Sequence, residues 1–147
     1  MTISLNSLSN SATNTAAGRQ STVIDNSSAL AIDALVGGQL TGGAGAGSGD
    51  VVRIFAFGSY DGTSFGGGFG ASDAAITLTL PALTLIRELA SVYIETLTAV
   101  PWGPFPIAQF FGGVLPVKWG IFIVVYGAPL NSSGHELRYT PVKRTGT

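Results

Sequence analysis

From residue 21 onward, apolar and polar positions mostly alternate with a period of two, the spacing of β-strands. "STVID" (21–25) reads as a first strand. In "ALAIDALV" (29–36), Leu30, Ile32, Ala34 and Val36 share one face and Asp33 takes the other. "VVRIFAFGSY" (51–60) sets Arg53, Phe55 and Phe57 against Val52, Ile54 and Ala56, and ends at Asp61-Gly62, a strong turn signal. "AITLTL" (75–80) is β-branched and stops at a proline. In the next segment Leu85, Ile86 and Leu89 would suit a helical turn, but Val92, Tyr93, Ile94, Thr96 and Thr98 favour a strand over 88–97. "PWGPFP" (101–106) reads as a proline-rich corner and "IAQFF" (107–111) as a short strand. The run 120–125 is apolar without interruption, which suits a strand covered on both faces. A central strand over 118–126 is therefore expected. Its hairpin partner is expected over 136–142, with the turn at 131–134.

These eight strands and the absence of a strong helical pattern predict an all-β chain, a β-sandwich or jelly roll. "GGQLTGGAGAGSGD" (37–50) and "FGGGFGASD" (65–73) read as glycine loops. At 147 residues the chain fits one domain, expected over 21–147. Residues 1–20 carry no charge before Arg19 and only a weak apolar edge, Ile3, Leu5 and Leu8. They read as an extended N-terminal arm that orders on a partner or stays loose.

Composition narrows the function. Charged residues are 10% of the chain, against roughly 25% in an average soluble domain. Mean hydropathy is +0.42 and net charge −1. A surface so poor in charge favours association, so much of it is expected to lie against copies of the chain or a larger assembly. The seven basic residues are scattered, so no nucleic-acid partner is expected. No apolar run approaches the roughly 20 residues of a membrane helix, and the alternating segments are too few for a porin, so no membrane partner is expected either. Residues 1–10 have neither a basic nor an apolar leader region, so no secretory leader is expected.

Chemistry is sparse. The chain has one histidine, His135, and no cysteine, which leaves no zinc ligand set. No G-x-S-x-G elbow accompanies His135. Gly66, Gly68 and Ala71 match G-x-G-x-x-A, but a strand follows where a helix is required. Glu88 and Glu95 would point to opposite faces of one strand, unlike a glycosidase pair. Oxygen-only calcium ligation by Asp50 or Asp61 needs no fixed spacing and stays open. No catalytic residue, metal or cofactor is expected.

"GSYDGTSF" (58–65) resembles the S-x-D-G-x-x-aromatic hairpin of discoidin-like, galactose-binding β-sandwiches. That resemblance implies a structural turn at Asp61 and Gly62 with Phe65 packed on it. Tyr60, Asp61 and Trp102 are then candidate sugar contacts, although burial of both rings in the sandwich is the simpler expectation.

The order of "STVIDNSSALAIDALV", a glycine loop, "VRIFAFGSYDGTSF" and "FGGVLPVKWGIFIVVYGAPLNSSGHELRYTPV" resembles small virion structural proteins of tailed bacteriophages, including head-decorating or cement proteins. "YDGTSF", "VLPVKWGI" and "LRYTPV" carry the likeness, which spans the chain from residue 21 onward. It implies a non-enzymatic protein made in the host cytoplasm and seated on the phage particle, on the head exterior. Its partners would be the major capsid protein or other virion proteins, and copies of itself, as a trimer before a dimer. The candidate assembly contacts are Ile3, Leu5 and Leu8 in the arm, and Trp119, Phe122 and Tyr126 with Val124 at the core and oligomer seam. The alternative is a carbohydrate-binding module of a phage tail or adhesin.

Overall fold

The computed structural model describes residues 1–12, 15–79, 82 and 86–144. Among these, two antiparallel sheets face each other across a core, an all-β sandwich. The strands are β1 (Thr15–Gln20), β2 (Ile24–Asp25), β3 (Asp33–Thr41), β4 (Val51–Ser59), β5 (Ala74–Thr79), β6 (Arg87–Tyr93), β7 (Ala99–Pro106), β8 (Lys118–Tyr126) and β9 (Glu136–Val142). The larger sheet has the order β5-β1-β8-β4-β6, with β2 also on β8; the smaller has β7-β3-β9. The chain crosses between sheets at β2–β3, β3–β4, β6–β7, β7–β8 and β8–β9, so the connections lace the two sheets together.

β8 is the central strand, paired with β4 on one side and with β1 and β2 on the other. Its uninterrupted apolar run is explained by two cores. Trp119, Ile121, Ile123 and Val125 face the smaller sheet, while Phe122 and Val124 face outward. The outward side is covered by Phe65 and Phe69 of the second glycine loop, which pack on Phe57 and Phe122. β4 follows the same logic, with Val52, Ile54 and Ala56 in the first core and Phe55 and Phe57 in the second.

Several expectations change. β9 does not pair with β8. It crosses to the other sheet and pairs with β3, leaving 127–135 as an inter-sheet connection rather than a hairpin turn. "PWGPFP" is not a corner but the body of β7. Prolines, lacking an N–H, are tolerated there because β7 is an edge strand. Residues 107–111 are not a strand but hold a short 3-10 turn, Ala108–Phe111. β3 begins at Asp33, not residue 29, and runs through Gly37 and Gly38, which were expected in the glycine loop. The Asn26 side chain holds residues 26–31 in a turn instead. Its Nδ2 donates to the Ala31 carbonyl at 3.1 Å and its Oδ1 accepts from the Ala31 N–H at 2.9 Å. β6 stops at Tyr93, short of residue 97, where Leu97 takes a left-handed backbone, φ 51°. Leu80 and Leu85 of the sequence reading lie outside the described residues.

The segment expected to stand off as an arm belongs to the body. Residues 15–20 are β1, between β5 and β8. Residues 1–12 run along the sandwich. Leu5 is buried in the inter-sheet core, and Ile3 and Leu8 pack against it. Backbone bonds fix this path: Ser7 N–H to Asn131 O at 2.8 Å, Leu130 N–H to Leu8 O at 3.0 Å and Ser11 N–H to Val125 O at 2.7 Å. The smaller sheet has three strands against five in the chain of pairings opposite, and this segment supplies apolar cover that a fourth strand would give.

Candidate interaction surface

The sandwich has two ends. β4 finishes and β8 begins at one, the Ser59 end; β4 starts and β8 finishes at the other, the Val51 end. Loops 26–32, 60–73 and 107–117 gather at the Ser59 end. Loops 42–50 and 94–98 and the connection 127–135 gather at the Val51 end.

At the Ser59 end, Asp61 organises the first loop. Its Oδ1 accepts from the Ser59 hydroxyl at 2.7 Å, the Thr63 N–H at 2.8 Å and the Ser64 N–H at 2.7 Å. The Ser64 and Ser59 donors, with Thr63, hold this carboxyl well below the usual carboxylate range. Asp61 is therefore a turn anchor, as the hairpin resemblance implied, and Phe65 packs beside Phe57. Asp33 plays a matching role that sequence reading missed. Its Oδ1 accepts from the Ala34, Ile107 and Ala108 N–H groups, tying β3 to the 3-10 turn. An aspartate at a strand start has no signature that foretells a donor 74 positions away.

Tyr60 is 60% exposed, and its hydroxyl donates to the Phe111 carbonyl at 2.8 Å. It borders an open cleft of about 480 Å³ with Arg87, Phe110 and Phe111. Trp102 does not join it. It sits in β7 facing the inter-sheet core, 6% exposed, its ring stacked near Phe105. The two candidate sugar contacts, Tyr60 and Trp102, do not come together: Tyr60 lies in the loop after β4, and Trp102 lies in β7 of the other sheet and is absent from the cleft Tyr60 borders. Tyr60 has the exposure for stacking; Trp102 has the burial that was the simpler expectation.

A second cavity, about 240 Å³, opens between the sheets at this end. Ile24, Ala34, Leu115, Trp119 and Tyr139 line it, with Asp25 and Lys143 at charged positions. Ser27 holds the Asp25 carboxyl below its usual range, through its hydroxyl first and its N–H second, and Lys118 adds a weaker attraction at 3.9 Å. The exposed side chains of Leu30, Ile32 and Val114 occupy the same end.

The proposed assembly residues fall into two groups. Trp119 and Phe122 are enclosed by their own protomer, as is Leu5, so as folded they offer no surface to a neighbour. Tyr126, Ile3 and Leu8 are only partly exposed and pack on the same cores. Among the described residues the exposed large apolar side chains are instead Leu30, Ile32, Tyr60 and Val114, with Tyr93 and Leu97 at the opposite end and Tyr139 on β9. Sequence reading missed Leu30 and Ile32 because both fit a core-facing alternation.

His135 accepts at Nδ1 from the Thr41 N–H and donates from Nε2 to the Asn131 carbonyl, a loop-closing role. Among the described residues no group of three or more His, Cys, Asp or Glu could hold a metal ion, and no helix is long and apolar enough to cross a membrane. Arg53 and Glu88 form a cross-strand ion pair that holds the Glu88 carboxyl low. The pair is about one-third exposed, so it contributes at most about 1 kcal/mol. No protein-family model, curated protein or solved structure matches the chain.

Proposed function

We propose that this protein is a non-enzymatic structural subunit of a tailed-phage virion, a cement or decoration protein that stabilises the head by bridging capsid subunits. The observation that carries the reading is the gathering of Leu30, Ile32, Tyr60 and Val114 in water at one end of a chain with 10% charged residues. Apolar side chains held in water add little buried area to the protomer. Covered by a neighbour they stabilise an assembly by about 25 cal/mol per Å². The major capsid protein on the head exterior and further copies of the chain, as a trimer before a dimer, are the partners this reading names.

The N-terminal segment supports the body, and so drops out of the bridging role first given to it. The loops of the Ser59 end take that role. Purified protein added to particles that lack it tests the reading. Expected are pelleting with the shells and a higher temperature of shell opening, both lost in an Ile32→Asp/Val114→Asp variant. Protein that leaves shell opening unchanged contradicts it.

A second reading, a carbohydrate-binding module of a tail or adhesin, is favoured by one observation: Tyr60 lies exposed beside the 480 Å³ cleft with Arg87. Glycan-array binding that disappears in Tyr60→Ala would support it. Absence of glycan binding would remove it.

A further inference from the structure

Among the described residues, three other than glycine adopt a left-handed backbone: Ser7, Leu30 and Leu97. The two leucines are also among the most exposed apolar side chains, 75% and 61%. A leucine gains nothing from that conformation, which glycine adopts without steric penalty. It gains nothing in the protomer from pointing into water either. Strain and exposure at one residue are tolerated when the side chain is needed where the strain puts it. Leu30 stands at the Ser59 end and Leu97 at the Val51 end, the latter with Tyr93.

Charge is divided between the same two ends. The Ser59 end carries Arg87, Lys118, Lys143 and Arg144 against Asp25, Asp33 and Asp61, a net of +1. The Val51 end carries Arg138 against Asp50, Glu95 and Glu136, a net of −2. The pairs Arg19–Asp73 and Arg53–Glu88 cancel between them, which accounts for the chain's −1.

We propose that the Val51 end of one copy docks onto the Ser59 end of the next, with Leu97 and Tyr93 covering the exposed Leu30, Ile32 and Val114 of its loops. The occupant of each joined end is a second copy of this chain, and the copy at the head of a stack keeps its own Ser59 end free for the shell. The observations favour it because both complementary halves, apolar on apolar and acidic on basic, are present on one molecule. Such a contact joins two different surfaces, so it closes into a ring or continues as a stack according to the rotation it imposes. A two-fold dimer, which buries one patch against itself, is not what this arrangement forms. The inference takes its setting from the subunit reading above. Its test uses free protein, so failure here leaves shell binding intact, and failure of shell binding leaves this contact intact.

Sedimentation velocity of the whole chain over a wide concentration range, with the single variants Leu30→Asp and Leu97→Asp, tests it. Wild type is expected to associate. Each variant should weaken association at least about tenfold while keeping a wild-type circular dichroism spectrum, since both side chains are exposed. Mixing the two variants should give one-to-one pairs and nothing larger, because each retains one intact end. Leu97→Gly should raise the melting temperature of the protomer while weakening association, a split that a purely structural leucine would not produce. The cysteine-free chain allows a second measurement. Leu30→Cys mixed with Leu97→Cys should be joined by a short bismaleimide, and neither alone should be. Wild type that stays monomeric at the highest concentration overturns the proposal. So do single variants that associate like wild type, a mixture without pairs, or efficient linking within one cysteine variant.

Discussion

Gly38 and Gly45 lie in one glycine-rich stretch and have opposite roles. A Cβ at Gly38 would fall 1.9 Å from the Glu136 carbonyl oxygen, because β9 passes directly alongside. At Gly45 a Cβ meets nothing within 4 Å. Gly38→Ala should therefore cost about 1–3 kcal/mol as strand β9 is pushed away, and Gly45→Ala should stay within about 0.5 kcal/mol; urea unfolding measures both. Composition could not separate the two, since glycine in a loop and glycine under a close strand look alike until the partner strand is known.

Asp61 gives the pH-dependent case. Its carboxyl is lowered from 3.8 in the folded chain. The turn it anchors is thus fully supported above about pH 4, and that support is lost as pH falls through the depressed folded value. Asn at this position keeps the acceptor oxygen and loses the charge. Melting temperatures of wild type and Asp61→Asn should differ most near neutral pH and converge on acidification. A gap that widens in acid would contradict the assignment of Asp61 as a charged anchor.

Among the elements, the N-terminal segment is the clearest departure from its sequence. Ile3, Leu5 and Leu8 were legible as an apolar edge, but nothing local says whether such an edge covers its own core or a neighbour's. The backbone bonds to Asn131, Leu130 and Val125 decide for its own. Leu5→Ala should cost about 2–5 kcal/mol of protomer stability, read by thermal or urea unfolding. An unchanged unfolding midpoint would return the segment to the role of a free arm. Truncation beyond residue 12 would remove β1 from between β5 and β8, and so would test folding rather than binding.

Strands with strong patterns were legible. β4 alternates as read, and the apolar run of β8 marks it as central. The partner of β9 was not legible, because closeness in sequence favours a hairpin whereas 127–135 carries the chain across to β3. β7 was obscured by its prolines, which exclude a central strand but not an edge. The Ser59-end surface was hidden for a related reason. Leu30 and Ile32 keep the strand period, and the turn closed by the Asn26 side chain and its backbone carbonyl breaks it.

For the whole molecule, the shortage of charge led to the expectation of partners, and the fold relocates where they would bind. The aromatic residues first placed at a seam fill the cores on either side of β8, and the loops carry the exposed apolar groups. Most large apolar side chains fill the two cores, while Leu30, Ile32, Tyr60, Val114, Tyr93 and Leu97 stay exposed at the ends. On the proposed reading those end groups gain stability only when a neighbour covers them, and a head-bridging subunit is then required in bulk, in a number set by the symmetry of the particle. The most direct measurement is its copy number in washed, purified virions, by quantitative mass spectrometry against the major capsid protein. The account predicts many copies per particle at a fixed ratio to that protein. A single copy, or none after washing, would contradict it.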